Sequence, residues 1–520
     1  MDKHTYQYLH KDAITALKEQ RLLSALQSLQ GMASSLKEWN IKEETDTLID
    51  SYQILLSYLV KGAADPERNK MYKSFERRAY ELADMLERAG DLQNDTSFYA
   101  TSLRTLQNLH GTQFTLSDLL QEGVNARDIF DAIWLSGAWT VADETAVANF
   151  MANREVIENL KCLVLSATTL SAMRYFDIAK YRVLLDNALS DEIKIRVRAL
   201  VGLVFVHIAH PERTLLYPEV STRLRLMLDI PSFASQLELL QSQLFLSLET
   251  KRIERNLQEE IIPQVMKRIE KLHIDRSLGL DEIKDKLSEA DLNPEWEEDG
   301  RPSKLAQYMH EFVELQERGA DMYMGSFKVL KQRFSFFNVV CNWFYPFTMN
   351  HPELPKGLSN IRMLKILISR TGLCDSDKYS FCLMTSQMQN NIKADMQEFM
   401  ENAGALEITD DVEKDPEFQF KDELRSYVQG FYRFCNLYLH HEEFFNPFQQ
   451  NLFLADYVPF KQLLDDDDML LRLADFVFKD KSFHMALDLY HKLPQDKFTA
   501  NVYQKIGYCY EQIGNAENAI

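Results

Sequence analysis

Chain-bending residues are scarce. The sequence holds 17 glycines and 14 prolines in 520 residues, about half the ordinary share. So few turn-formers exclude the many hairpins of a sandwich or barrel. Long apolar runs are missing as well. The longest, Ala199 to Ala209, carries His207 and falls well short of the roughly 20 residues that span a membrane. The first residues, Met1-Asp2-Lys3-His4-Thr5, are polar and lack the apolar core of a secretory signal. A cytoplasmic protein is the expectation. Positive charge is short too: 58 Lys and Arg face 78 Asp and Glu, a net of −20. That balance opposes a nucleic-acid binder, which needs a basic footprint.

Six cysteines, Cys162, Cys341, Cys374, Cys382, Cys435 and Cys509, are scattered without a C-x-x-C pair. They are expected to be buried free thiols. Cys374 and Cys382, with Asp375 and Asp377 close by, have no histidine within twenty residues to act as a base. The signatures of phosphate loops, dinucleotide sites, serine hydrolases and zinc proteases are absent. Neither an enzyme nor a cofactor is expected.

What is abundant is helical periodicity. Leu22, Leu26, Leu29, Ala33 and Leu36 lie on one helix face, and Asp12 reads as the N-cap of the helix that begins this segment. Leu48, Tyr52, Leu55 and Leu59 form a second stripe, and Tyr72, Phe75, Ala79, Leu82 and Leu86 a third. The turn Gly62 to Pro66 makes those two helices antiparallel neighbours. Between 155 and 250 the same texture continues. There Asp191, Ile195, Arg196, Ala199 and Leu203 resemble, weakly, the second helix of a HEAT-type repeat over 191–203. Ile262, Val265, Ile269 and Leu272 make a further stripe, with Pro263 in its first turn.

Three regions are expected: 1–290, 304–462 and 463–520. An acidic stretch with two prolines, 293–302, separates the first two. Phe334, Phe336, Phe337, Trp343, Phe344, Tyr345 and Phe347 crowd together, ending in a turn-rich run from His351 to Gly357. They read as core, the alternative being an exposed docking patch. A loop from Gly404 to Glu417 precedes a helix expected over Leu424 to Leu439. Residues 401–470 hold sixteen acidic and five basic residues. Their densest part, Asp465 to Asp468, suits a loop entering a helix N-terminus.

The tail repeats itself. Leu470, Leu473, Ala474, Val477 and Ala486 are followed 33 residues later by Tyr503, Ile506, Gly507, Tyr510 and Ala519, and Tyr490 completes the first set. Over 467–520 this pattern resembles the tetratricopeptide repeat (TPR) family: large, leucine-like, small and aromatic residues on a first helix, alanine on the second. The resemblance implies an all-α protein, a right-handed superhelical α-solenoid of stacked antiparallel helix pairs. Ala474 or Gly507 would let the second helix approach, Ala486 or Ala519 would face it, and Tyr503 and Tyr510 would fill the seam between repeats. Gly514 matches the family's turn glycine, whereas Lys481 departs from it. Leu493 stands where the family prefers alanine, Pro494 comes early, and the spacing is one residue short of the usual period of about 34. Because such arrays need about three units, the chain is expected to continue past Ile520, the alternative being an array that ends in an unusual half-repeat.

The family uses this architecture to bind proteins, so a non-catalytic scaffold or adaptor is the functional expectation. By register the groove would be lined by Asp468, Leu471, Asp475 and Phe478, then Asn501, Gln504, Tyr508 and Glu511. With no lysine or arginine there, although Asn501 could still hydrogen-bond, a clamp for a terminal carboxylate is not expected. The expected partner is a protein or peptide with a basic or neutral segment, touching Phe478 and Tyr508. The alternative is a metal-dependent protein or enzyme whose dispersed site includes His440 and Glu443. Three apart, these two share a helix face, and His484 or His491 would add a third ligand.

Overall fold

The computed structural model describes residues 3–36, 39–62, 66–93, 97–121, 123–256, 259, 321, 324–356, 368, 372–387, 415–458, 460–461 and 466–519. Among them there is no strand, and the protein is all-helical. The stripe from Ile262 to Leu272, the acidic stretch 293–302, most of the loop 404–417, and Gly357, Asp465 and Ile520 lie outside the described residues. Two compact units are present, 1–234 with 440–462, and 235–439 with 463–520. These differ from the three regions that composition suggests, because 440–462 packs with the first unit.

In the first unit α1 (Lys3–Lys18) and α2 (Leu22–Ala33) form a tight hairpin, followed by α3 (Trp39–Val60) and α4 (Arg68–Gln93). The apolar stripes are its core: Leu22, Leu26 and Leu29, and Ala79, Leu82 and Leu86, are buried together. Leu59 is exposed, so the α3 stripe buries only part of its length. Asp12 is not an N-cap. It sits inside α1 and accepts a hydrogen bond from Ser28 Oγ at 2.6 Å, tying α1 to α2.

Capping side chains start the next helices. Ser97 caps α5 (Phe98–His110), and Thr115 with Asp118 forms a reciprocal capping box on α6 (Leu116–Leu119). Asn125 caps α7 (Ala126–Trp134), and a second box, Thr140 with Asp143, starts α8 (Val141–Ala152). At the centre α9 (Glu158–Arg174) packs on α10 (Ile178–Asn187) and α11 (Ile193–Ala209). Both α9 and α11 are buried nearly all round, which explains their weak amphipathicity. Buried Thr168 and Thr169 return their hydroxyls to carbonyls four residues back. At Gly202 a Cβ would stand 2.3 Å from Thr169 Oγ1, so α11 approaches α9 only because that position is glycine. Pro218 opens α12 (Pro218–Leu228), and α13 (Pro231–Asn256) follows.

The second unit contains most of α13, then α14 (Met324–Arg333), α15 (Val340–Phe344), α16 (Asp375–Gln387) and α17 (Pro416–Leu437). The aromatic segment is core: Phe334, Phe336, Phe337, Trp343, Phe344 and Tyr345 are all buried. Phe344 meets Phe431 and Phe434 edge-on, and Trp343 Nε1 donates to Phe337 O at 2.9 Å. Below these rings lies a buried charge network. Lys331 Nζ is 2.6 Å from Asp377 Oδ1, and Arg433 Nη2 is 2.8 Å from both Asp377 Oδ2 and Asp321 Oδ1. Mutual pairing is what makes such burial tolerable.

The tail comprises α18 (Asp467–Lys479), α19 (Phe483–Tyr490) and α20 (Ala500–Gln512), with Asp466 and Thr499 as caps of α18 and α20. Its turns repeat in detail. Lys481 N donates to Phe478 O and Ser482 N to Val477 O, with Lys481 at φ +60°. Thirty-three residues on, Gly514 N donates to Glu511 O and Asn515 N to Tyr510 O, with Gly514 at φ +78°. This is the Schellman cap, which needs a left-handed residue. The same cap ends α1: Gln20 N to Leu17 O, Arg21 N to Ala16 O, and Gln20 at φ +59°. Counted back and forward from these turns, Ala13 and Ala25 occupy the places of Ala474 and Ala486, and all four are fully buried.

Candidate functional site

Seven of the eleven residues expected to pack the repeats are in the core. Leu470, Leu473, Ala474, Val477, Ala486, Tyr490 and Ile506 are buried. A Cβ on Gly507 would come within 3.1 Å of the Ala519 backbone carbonyl, and Ala519 lies just after a turn and not on a helix. Tyr510 is half-buried, its hydroxyl 2.9 Å from His491 Nε2. Tyr503 departs from expectation. It is 61% exposed against Phe498 and fills no seam among the described residues.

The eight groove positions divide into two groups. Phe478 and Tyr508 come together, centroids 5.8 Å apart, with Phe483 completing the cluster. Gln504, Tyr508 and Glu511 line an open concavity of about 700 Å³ with Tyr503, Gly507 and Ala519. Leu471 is half-buried, and Asn501 is exposed. The carboxylates behave otherwise. Asp475 Oδ1 accepts from Tyr490 Oη at 2.6 Å and from Lys505 Nζ at 2.7 Å. Burial and this carboxylate raise the Tyr490 phenol above its ordinary value. Asp468 accepts from Lys497 at 2.7 Å. Two of the three acidic positions are thus already neutralised, which reduces the electrostatic basis for a basic partner. The lysines responsible lie outside the register positions, which is why spacing within the first helices does not reveal them.

The metal candidates do not assemble. His440 is not on an α-helix, because α17 ends at Leu437, two residues before the expected end, and a 3₁₀ turn follows. Glu443 Oε1 accepts from Phe98 N at 2.8 Å and Oε2 from Tyr99 N at 3.3 Å, so this carboxylate caps α5. His440 stacks on Phe98 at 4.6 Å, and Arg174 donates to Glu443 O at 2.7 Å. His484 is exposed, and His491 is engaged with Tyr510. Among the described residues no three His, Cys, Asp or Glu side chains cluster as metal ligands. Burial pushes the Cys374 thiol up to about 11 and the Cys382 thiol up to about 12, which disfavours reactive thiolates.

A concavity of the first unit has no counterpart among the sequence expectations. About 600 Å³ in volume, it lies along α4. Trp139, Tyr175, Phe176 and Tyr217 give it aromatic walls, and Arg78, Glu81, Asp84, Arg88, Asp177 and Lys180 give it charge. Asp177 and Lys180, at the start of α10, grip one loop. Asp177 Oδ2 accepts from Trp139 N at 2.6 Å, while Lys180 Nζ donates to Gly137 O and Ser171 Oγ at 2.8 Å and to Ser136 O at 3.2 Å. Burial draws the Lys180 pKa down to about 8, against the attraction of Asp177. Asp84 pairs with Arg213, and burial pushes its carboxyl up to about 6. The available signal was charge at helical spacing, Glu81, Asp84, Arg88 and Asp91, on a helix whose opposite face is already apolar. No helix of the described residues is long and apolar enough to cross a membrane. The chain matches no family model, no curated protein and no solved structure.

Proposed function

We propose that the protein is a non-catalytic scaffold or adaptor, a TPR-like right-handed α-solenoid in its C-terminal part, that binds a protein or peptide. The observation that carries this reading is the concavity on α20. There Tyr508, 46% exposed, and Tyr503 stand beside the polar side chains of Gln504 and Glu511. Exposed aromatics flanked by hydrogen-bonding groups are the usual composition of a recognition surface. The repeated left-handed turns at Lys481 and Gly514 support the repeat register, and the matching turn at Gln20 extends it to the first hairpin. With Asp468 and Asp475 paired to lysines, the partner segment is neutral or weakly basic and apolar, and Glu511 supplies the remaining negative charge.

The test is selection of peptides from a random library on the full chain, followed by binding to variants. Peptides that lose affinity in Tyr508→Ala and Gln504→Ala, and keep it in Lys492→Ala, support the proposal. Peptides insensitive to both groove substitutions overturn it.

A further inference from the structure

We infer that the cavity along α4 is a binding site for a small monocarboxylate with an apolar or aromatic body, and that Arg88 takes the carboxylate. Most of the charged groups along the cavity already have partners. Glu81 accepts from Arg78 at 2.6 Å and from Tyr217 Oη at 3.0 Å. Asp84 is held by Arg213. Asp177 divides its oxygens between the amides of Trp139 and Ala179. The three protons of the Lys180 ammonium have three acceptors. Each of these groups is committed.

Arg88 differs from them. Its Nε donates to Tyr99 Oη at 3.1 Å and Nη2 to Leu135 O at 3.3 Å, both neutral oxygens. It has no carboxylate partner among the described residues. A guanidinium carries five N–H donors, so most of its fork remains to be used. Its position is also fixed: Tyr99 Oη itself donates to Leu135 O at 2.9 Å. Gly137 leaves the room, since a Cβ there would lie 3.3 Å from Arg88 Cζ and Nη1. A pre-ordered arginine loses little freedom on binding, and its planar fork matches a carboxylate.

The remaining wall sets the ligand's class. A volume of about 600 Å³ is ordinary for a small-molecule site. Trp139, Phe176, Met85 and Ile178 offer an apolar bed. Glu81, Asp84 and Asp177 line the same space. They disfavour a phosphate dianion or a polyphosphate, whereas one negative charge is matched by the one uncommitted cation.

The experiment is isothermal titration calorimetry of the full chain with indole-3-acetate, 3-phenylpropanoate and octanoate. Indole-3-acetamide and phenyl phosphate serve as the uncharged and dianionic comparisons. At least one carboxylate should bind, and for indole-3-acetate the amide should bind at least about tenfold more weakly. Arg88→Gln should lower carboxylate affinity about tenfold or more and leave the amide unaffected. Ile178→Trp, which fills the cavity while keeping Arg88, should abolish binding of both. If Arg88→Gln fails to fold by circular dichroism, Arg88→Lys replaces it, keeping the charge and losing the fork, and a loss of about threefold or more is expected. The inference is overturned if none of the three carboxylates binds at about 10 mM, if acid and amide bind equally, if phenyl phosphate binds more tightly than the carboxylates, or if the arginine variant binds like wild type.

Discussion

Lys505 Nζ lies 2.7 Å from Asp475 Oδ1, joining α20 to α18. The same oxygen receives Tyr490 Oη from the helix between them. Asp475→Ala should therefore lower stability by about 1–2 kcal/mol, combining a half-exposed ion pair with a stranded phenol. Glu511→Lys, on the open concavity, should change it by less than about 0.5 kcal/mol. Urea unfolding of both variants decides. Equal effects would mean that Asp475 is no more structural than Glu511.

The left-handed turns can be tested by exchange. Lys481 holds φ +60° with a side chain, while Gly514 holds φ +78° without one. Lys481→Gly should raise stability by about 0.5–1 kcal/mol, and Gly514→Ala should lower it by about 1 kcal/mol. Opposite signs at positions 33 residues apart are the expected outcome in thermal unfolding.

Glu443 occupies both its oxygens with the first amides of α5. Glu443→Ala should cost about 1–2 kcal/mol through loss of this cap. Elemental analysis should find the same metal content in wild type and variant. A fall in bound metal without a fall in stability would restore the ligand reading.

His207 gives the pH dependence a sign. Its Nδ1 is 3.1 Å from Thr214 Oγ1, and its ring is enclosed edge-on by Tyr457 and Phe460. Burial lowers its pKa from 6.5 to about 4. Above pH 6.5 both folded and unfolded forms are neutral, and the group contributes no slope. Between 6.5 and about 4 the unfolded chain takes the proton first, so stability falls as pH falls. At pH 5 the loss from this residue is about 2 kcal/mol. His207→Leu should flatten that part of the stability profile, measured by urea unfolding at pH 7 and pH 5. An unchanged slope would show that His207 is not the group that titrates.

The parts of the fold legible in the sequence are those governed by local rules. Leu22, Leu26 and Leu29 are buried because a 3.6-residue period puts them on one face, and Ala474 and Ala486 because a close helix pair needs small residues. The cavity along α4 was not legible for a different reason. Arg88 and Asp177 are 89 residues apart, and the loop that joins their surroundings, Ser136 to Trp139, has no periodicity to read. A charged helix face also has the same sequence pattern whether water or a loop covers it. The capping role of Glu443 is hidden on similar grounds, because it is set by Phe98, which is 345 residues away.

The first unit is discontinuous in the chain. Glu443 caps α5, Phe448 meets Phe205, and Phe460 encloses His207. Yet 440–462 is separated from residue 234 by the 205 residues of 235–439. At ordinary translation speeds of about 5–20 residues per second, the ribosome needs roughly 10–40 s to deliver it. During that interval the amides of Phe98 and Tyr99 and the face of His207 that Phe460 covers lack their final partners. The local hairpin of α1 and α2 can form in microseconds once it has emerged. The newborn first unit therefore exists for a time as an unfinished body, and that interval is when its apolar surface is most open to chaperones.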